Sequence, residues 1–174
     1  MSVPPSNAAK LPLPQWAYVP GETAEAEADH DTLWQAMALV PSRFQDFVPA
    51  RHPALSYGIA LNDAGYFWES QEILEAVWAA APQGGRERIL LRACIQIANA
   101  NLRLRMKKPH AAARLLGEAL AELDSLGARK GVAAGDGFVD AFPTAALAAL
   151  LKTKLALPLL SKADWVALGT VGRT

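Results

Sequence analysis

Gly65-Tyr66-Phe67-Trp68-Glu69-Ser70-Gln71-Glu72-Ile73-Leu74-Glu75-Ala76-Val77-Trp78 packs aromatics, acids and an amide into about four helical turns. On a helical wheel Ile73, Leu74 and Val77 share one arc, whereas Gln71, Glu72 and Glu75 share another with Trp68 and Trp78. Acids bracketed by tryptophans read as only partly solvated. A carboxylate held against large apolar rings needs a cation, hydrogen-bond donors or a proton, because desolvating an unpaired charge is costly. The partners are expected elsewhere in the chain.

The nearest source is the next predicted helix, Arg86 to Lys107, the longest in the chain. On it Arg92, Gln96, Asn99 and Arg103 align within about 40° at the helical 100° per residue. Leu91, Ile95, Ala98 and Leu102 fill one flank of this polar stripe, and Ala93, Ile97, Ala100 and Leu104 fill the other. Further helices are predicted at about 31–40, 53–61 and 64–80, from Pro109 to Gly127, and over Thr144–Leu155. A last short turn is capped at Ser161-Lys162-Ala163-Asp164, and residues 128–142 read as a glycine-dotted loop. No run alternates with period two for long enough to argue a sheet. The expected fold is all-α, a compact bundle of about five to seven helices with an extended N-terminal arm.

That arm is residues 1–29. Pro4, Pro5, Pro12, Pro14 and Pro20 deny it a helix, while Trp16 and Tyr18 offer rings to dock on the body. Residues 30–174 read as one helical domain. With 174 residues, 52% of them hydrophobic, the chain can bury a proper core. Seventeen basic residues balance seventeen acidic ones, so no global field draws it to nucleic acid or an anionic membrane. No stretch reaches the roughly 20 uninterrupted apolar residues of a membrane span, and the N-terminus lacks the basic start and apolar run of a signal peptide. The lone Cys94 lies in an apolar run, which predicts a buried thiol and a cytoplasmic setting.

Phe67 to Trp78 resembles the signature of the bacterial and archaeal domain-of-unknown-function family 309, roughly Y-[FW]-E-A-H-E-x-L-E-x-x-W. Arg86 to Ala100 is similar to that family's R-x-x-L-Q-x-x-I-Q-x-A-x-A segment, and Pro109 to Leu123 to its third helix, A-x-x-L-x-x-x-A-x-x-x-L. The similarity covers about residues 52–125. Two departures stand out: Gln71 replaces the family's usual histidine, and Arg92 replaces a glutamine. The resemblance implies a compact helical fold with acids facing amides and arginines across a helix pair, and carries no activity with it.

Three readings compete for the candidate cluster Glu69, Gln71, Glu72, Glu75, Arg92, Gln96, Asn99 and Arg103. As a metal site it is poor. An amide oxygen at Gln71 is a weak ligand, and neither His52 nor His110 lies in a paired E-x-x-H motif, so no metal or cofactor is expected. As structure, Glu72 or Glu75 would meet Arg92, Gln96, Asn99 or Arg103 in a buried network that fixes helix register. As a pocket, Trp68 and Trp78 would be aromatic walls and Arg92 or Arg103 would hold an anion. The cations Arg103, Arg105, Lys107 and Lys108 read as a solvated helix end rather than a nucleic-acid contact. The preferred function is therefore a structural or protein-interaction module. A small-ligand-binding protein or a hydrolytic enzyme using Glu72 and Glu75 with Arg92 or Arg103 is the rival. The expected partner is a protein or a small molecule, with room for a homo-oligomer.

Overall fold

The computed structural model describes residues 11–23, 29–128 and 135–170. Among them are seven α-helices, one 3-10 helix and no strand, an all-α fold as the periodicity implies. Helix α1, His30–Met37, starts one residue earlier than expected. Asp29 caps it, because Thr32 supplies two donors: its backbone N–H at 3.2 Å and its hydroxyl at 2.7 Å.

Helix α2, Pro53–Asp63, has proline in its first turn, where no backbone N–H is needed. His52 caps it, its Nδ1 accepting from the Ala54 N–H at 3.2 Å. Burial holds the His52 pKa below its ordinary value, which keeps the imidazole a neutral acceptor. The chain reverses at Gly65, whose φ of +95° lies where a side chain would be strained, and enters α3, Phe67–Ala80. The two helices approach closely at Gly58, whose carbonyl accepts from the Ser70 hydroxyl at 2.6 Å.

Helix α4, Arg86–Arg105, and α5, Pro109–Ala128, follow, joined through Lys107 at φ +61°. The short α6, Phe138–Ala141, falls inside the stretch expected to be loop, of which residues 129–134 lie outside the described residues. It is held by backbone bonds from the Phe138 N–H to Val48 and from the Ala50 N–H to Asp136, each 2.8 Å. Helix α7, Thr144–Leu155, has the predicted bounds, and the 3-10 helix Lys162–Asp164 carries a capping box between Ser161 and Asp164.

Leu33, Leu55, Leu61, Ile73, Leu74, Leu90, Leu91, Ile97, Leu116, Leu147, Leu151 and Leu168 are fully buried, and with Phe138 and Val139 of α6 they make one apolar core that draws on all seven α-helices and the C-terminal segment. A second cluster of Val19, Phe67 and Leu102 fastens the N-terminal segment to α3 and α4. Among the described residues no helix is long and apolar enough to cross a membrane.

Candidate functional site

The apolar arcs of α3 and α4 decide where the polar ones go. Ile73, Leu74 and Val77 are buried, as are Leu90, Ala93, Cys94 and Ile97 on α4. The opposite side of α4 is thereby turned outward: Arg92 is exposed, and Gln96, Asn99 and Arg103 are half-buried. On α3, Glu75 is exposed while Gln71 and Glu72 are half-buried. Among the described residues no hydrogen bond or ion pair joins Glu72 or Glu75 to Arg92, Gln96, Asn99 or Arg103, so the expected internal seam does not form. Gln96 donates instead to Glu118 on α5 at 3.1 Å. The reason is energetic, since facing leucines and isoleucines across the helix pair avoids desolvating several charges at once.

Trp78 and Arg92 do meet, in a different role. The Arg88 guanidinium lies 4.4 Å and that of Arg92 5.4 Å from the indole centroid, a pair of cation–π contacts. Arg88 also donates to the Ala81 and Ala79 carbonyls, each at 3.2 Å, and so closes the C-terminal end of α3.

Glu69 is the member of the cluster that is truly interior, with no exposed surface. Its Oε2 accepts from the Tyr18 backbone N–H at 2.7 Å, and its Oε1 is the one buried side-chain oxygen or nitrogen among the described residues with no hydrogen-bond partner. Burial raises its pKa, opposed by the Tyr18 bond. Nearby, the Tyr57 hydroxyl donates to the Pro12 carbonyl at 2.6 Å. Burial, with the charges of Asp29 and Glu69, pushes that phenol up to about 12. These two contacts and Val19 hold residues 12–19 against α2 and α3.

A second polar knot escaped the sequence reading altogether. Asn101, on the apolar face of α4 and 1% exposed, donates from Nδ2 to Asn62 Oδ1 and to the Val166 carbonyl, and accepts at Oδ1 from the Val166 N–H, all at 2.8 Å. Asn62 Nδ2 donates to the same carbonyl at 3.0 Å. Asp63 accepts the Leu168 and Gly169 N–H groups, both at 2.6 Å. A signal was present in the sequence. Leu90, Cys94, Ile97, Asn101 and Leu104 recur at helical spacing, and a lone asparagine on such a stripe demands buried partners. The pair Asn62-Asp63 reads locally as a turn, which hid the other half.

At the N-terminal end of α3 a run of rings comes to the surface. Tyr18 and Trp68 have centroids 4.9 Å apart, Trp68 and His30 6.2 Å, and His30 and Trp34 6.3 Å. Trp34 is 63% exposed. Glu72 lies beside this run, its pKa raised by burial and by Glu75 and lowered by His30. Among the described residues no group of three or more His, Cys, Asp or Glu side chains is arranged to hold a metal.

Residues 55–115 match the DUF309 family, a domain of unknown function. The match bears out the resemblance carried by the motifs. No curated protein and no solved structure matches the chain at a significant level. The DUF309 segment runs from Leu55 in α2 to Leu115 in α5, and it contains Tyr57, Asn62, Asp63, Glu69 and Asn101. Their partners Pro12, Tyr18, Val166, Leu168 and Gly169 all lie outside it. Tyr57, Asn62, Asp63, Glu69 and Asn101 therefore grip the flanking segments of this chain, whereas the buried Ser70 bonds Gly58 within it.

Proposed function

We propose that the chain is a non-enzymatic protein-interaction module, one helical unit from residue 30 onward with residues 1–29 as an arm, working in a reducing cytoplasm. The observation that carries this reading is the employment of polar side chains of the DUF309 segment: the buried Glu69, Asn62 and Asn101 and the half-buried Asp63 bond backbone of the flanking segments. Asn62, Asp63 and Asn101, committed to backbone, are not free to move protons or hold substrate, and Glu69 commits one of its two carboxylate oxygens in the same way. Meanwhile the ring run ends in water at Trp34, an exposed indole beside the half-buried His30, Trp68 and Tyr18, which suits a docking face. The buried thiol of Cys94, pushed up to about 12 by burial, is inert and suits a compartment without disulfides.

The test is photo-crosslinking in cells. A benzoylphenylalanine at Gln35, exposed beside Trp34, should give a discrete adduct, and one at Arg114, exposed on α5, should not. Adducts at neither position, or equally at both, refute the reading.

The ligand-binding rival finds its support away from Glu72 and Glu75. A cleft of about 420 Å3 is lined by the rings of Phe67 and Trp165 with Arg105 and Lys162 at its edge. Thermal melts with aromatic carboxylates check it. A saturable rise that is lost in Arg105→Gln would favour this second reading.

A further inference from the structure

The two ends of α3 carry the same kinds of side chain in different states of completion. At the C-terminal end, Trp78 has two guanidinium groups on it, from Arg88 and Arg92. At the N-terminal end, Tyr18, Trp68, His30 and Trp34 form a longer run of rings, and among the described residues no lysine or arginine lies over any of them. Electron-rich indole faces attract cations, most strongly planar guanidinium, which stacks and donates at once.

Apart from His30, the charged side chains named around this run are acidic. Asp31 and Glu75 are exposed and Glu72 is half-buried, and among the described residues none of the three is in an ion pair. His30 is the basic group whose charge reaches Glu72. Tyr18, whose ring meets Trp68, bonds through its backbone N–H to Glu69, which is fully buried and carries the carboxylate oxygen that no donor satisfies. Carboxylates thus gather beside a partly exposed aromatic run on which, among the described residues, His30 is the basic group and no lysine or arginine is stacked.

We propose that this face docks an arginine-bearing basic segment of a partner protein, with guanidinium groups over Trp68 and Trp34 and an N–H of one directed at Glu72. The assignment rests on the interaction-module reading and supplies its chemistry. A segment fits better than a single amine because the ring run is longer than one side chain covers. In extended chain, alternate residues project from one face about 6.6 Å apart, close to the 6.2 and 6.3 Å between successive rings from Trp68 to Trp34. An alternating Arg-x-Arg-x-Arg run therefore keeps step with the rings, with arginines four residues apart reaching Trp68 and Trp34 and the one between them passing over His30.

The probe is the octapeptide (Arg-Gly)4, titrated into the full chain while the indole N–H resonances are followed by NMR, with (Lys-Gly)4 and (Gln-Gly)4 as controls. Trp34 and Trp68 should shift saturably and Trp78 should not. Binding should weaken about tenfold in the double variant Glu72→Gln, Glu75→Gln, the loss expected for a charge-assisted hydrogen bond, and it should fall with added salt. Trp34→Ala, at an exposed position, should lose binding with an unchanged melting temperature. Absence of shifts at millimolar peptide, equal shifts with (Gln-Gly)4, or full affinity in the double variant overturns the proposal. Equal binding of (Lys-Gly)4 overturns the arginine assignment. Self-association that Trp34→Ala abolishes, without peptide binding, assigns the face to a second copy instead. A discrete adduct at Gln35 with no peptide binding would leave the interaction reading standing while this inference fails.

Discussion

Replacing Asn101 by alanine should be among the most damaging single changes in the molecule. The substitution removes three hydrogen bonds of 2.8 Å and leaves two buried groups without partners, the Val166 N–H and Asn62 Oδ1. The Val166 carbonyl keeps its bond from Asn62. Each orphaned group costs about 1–3 kcal/mol, which with the lost side-chain volume gives roughly 3–5 kcal/mol. Detachment of the C-terminal segment sets the ceiling, since it would forfeit the burial of Val166 and Leu168, both 1% exposed, at about 1.5–3 kcal/mol each. For a chain of this size the melting temperature should fall by roughly 6–20 °C, and amide exchange at Val166 should accelerate by about 100-fold or more. Asn101→Asp sharpens the assay. At neutral pH its carboxylate keeps an acceptor for Val166 but turns a second oxygen toward Asn62 Oδ1 and the Val166 carbonyl. Acidification restores a donor there and should recover part of the stability. A loss under about 1 kcal/mol in Asn101→Ala, with Val166 protection unchanged, would refute the reasoning.

Three further outcomes follow from local geometry. Because burial raises the Glu69 pKa above its ordinary 4.5, its contribution to stability is complete below that value and is lost as pH rises through the raised one. Glu69→Gln keeps an acceptor for Tyr18 and drops the charge, so it should melt higher than wild type above neutrality, with the gap closing in acid. Gly58→Ala would set a methyl 2.8 Å from Leu74 Cδ2 and 3.3 Å from Ile73 Cγ2. The overpacking should lower stability in urea by about 1–3 kcal/mol, offsetting the helix-propensity gain of about 0.5–1 kcal/mol. Lys107→Gly relieves a positive φ at the α4–α5 junction and should raise stability by about 0.5–1 kcal/mol, read from the same denaturation curves.

Helices α3, α4, α5 and α7 could be traced along the chain because each pairs a long 3.6-residue apolar rhythm with proline or glycine at its ends. Cap residues were less legible. Asp29 outcompetes its neighbours only through the Thr32 hydroxyl, a detail of geometry. The candidate cluster was legible in composition but not in role, as Glu69, Glu72 and Glu75 look equivalent in a line of text. The first is fully buried and bonded by the arm, the second is half-buried, and water takes the third.

What the amino-acid order determined alone is the helical architecture, the kinship of residues 55–115 to DUF309 and the apolar arcs, all set by interactions within a few residues along the chain. Which polar group meets which was decided only in three dimensions. Asn62, Asn101 and Val166 are brought together across 39 and 65 residues, and Tyr18 reaches Glu69 across 51. A buried amide or carboxyl takes whatever donors the packed core delivers to it, and no local periodicity encodes that delivery.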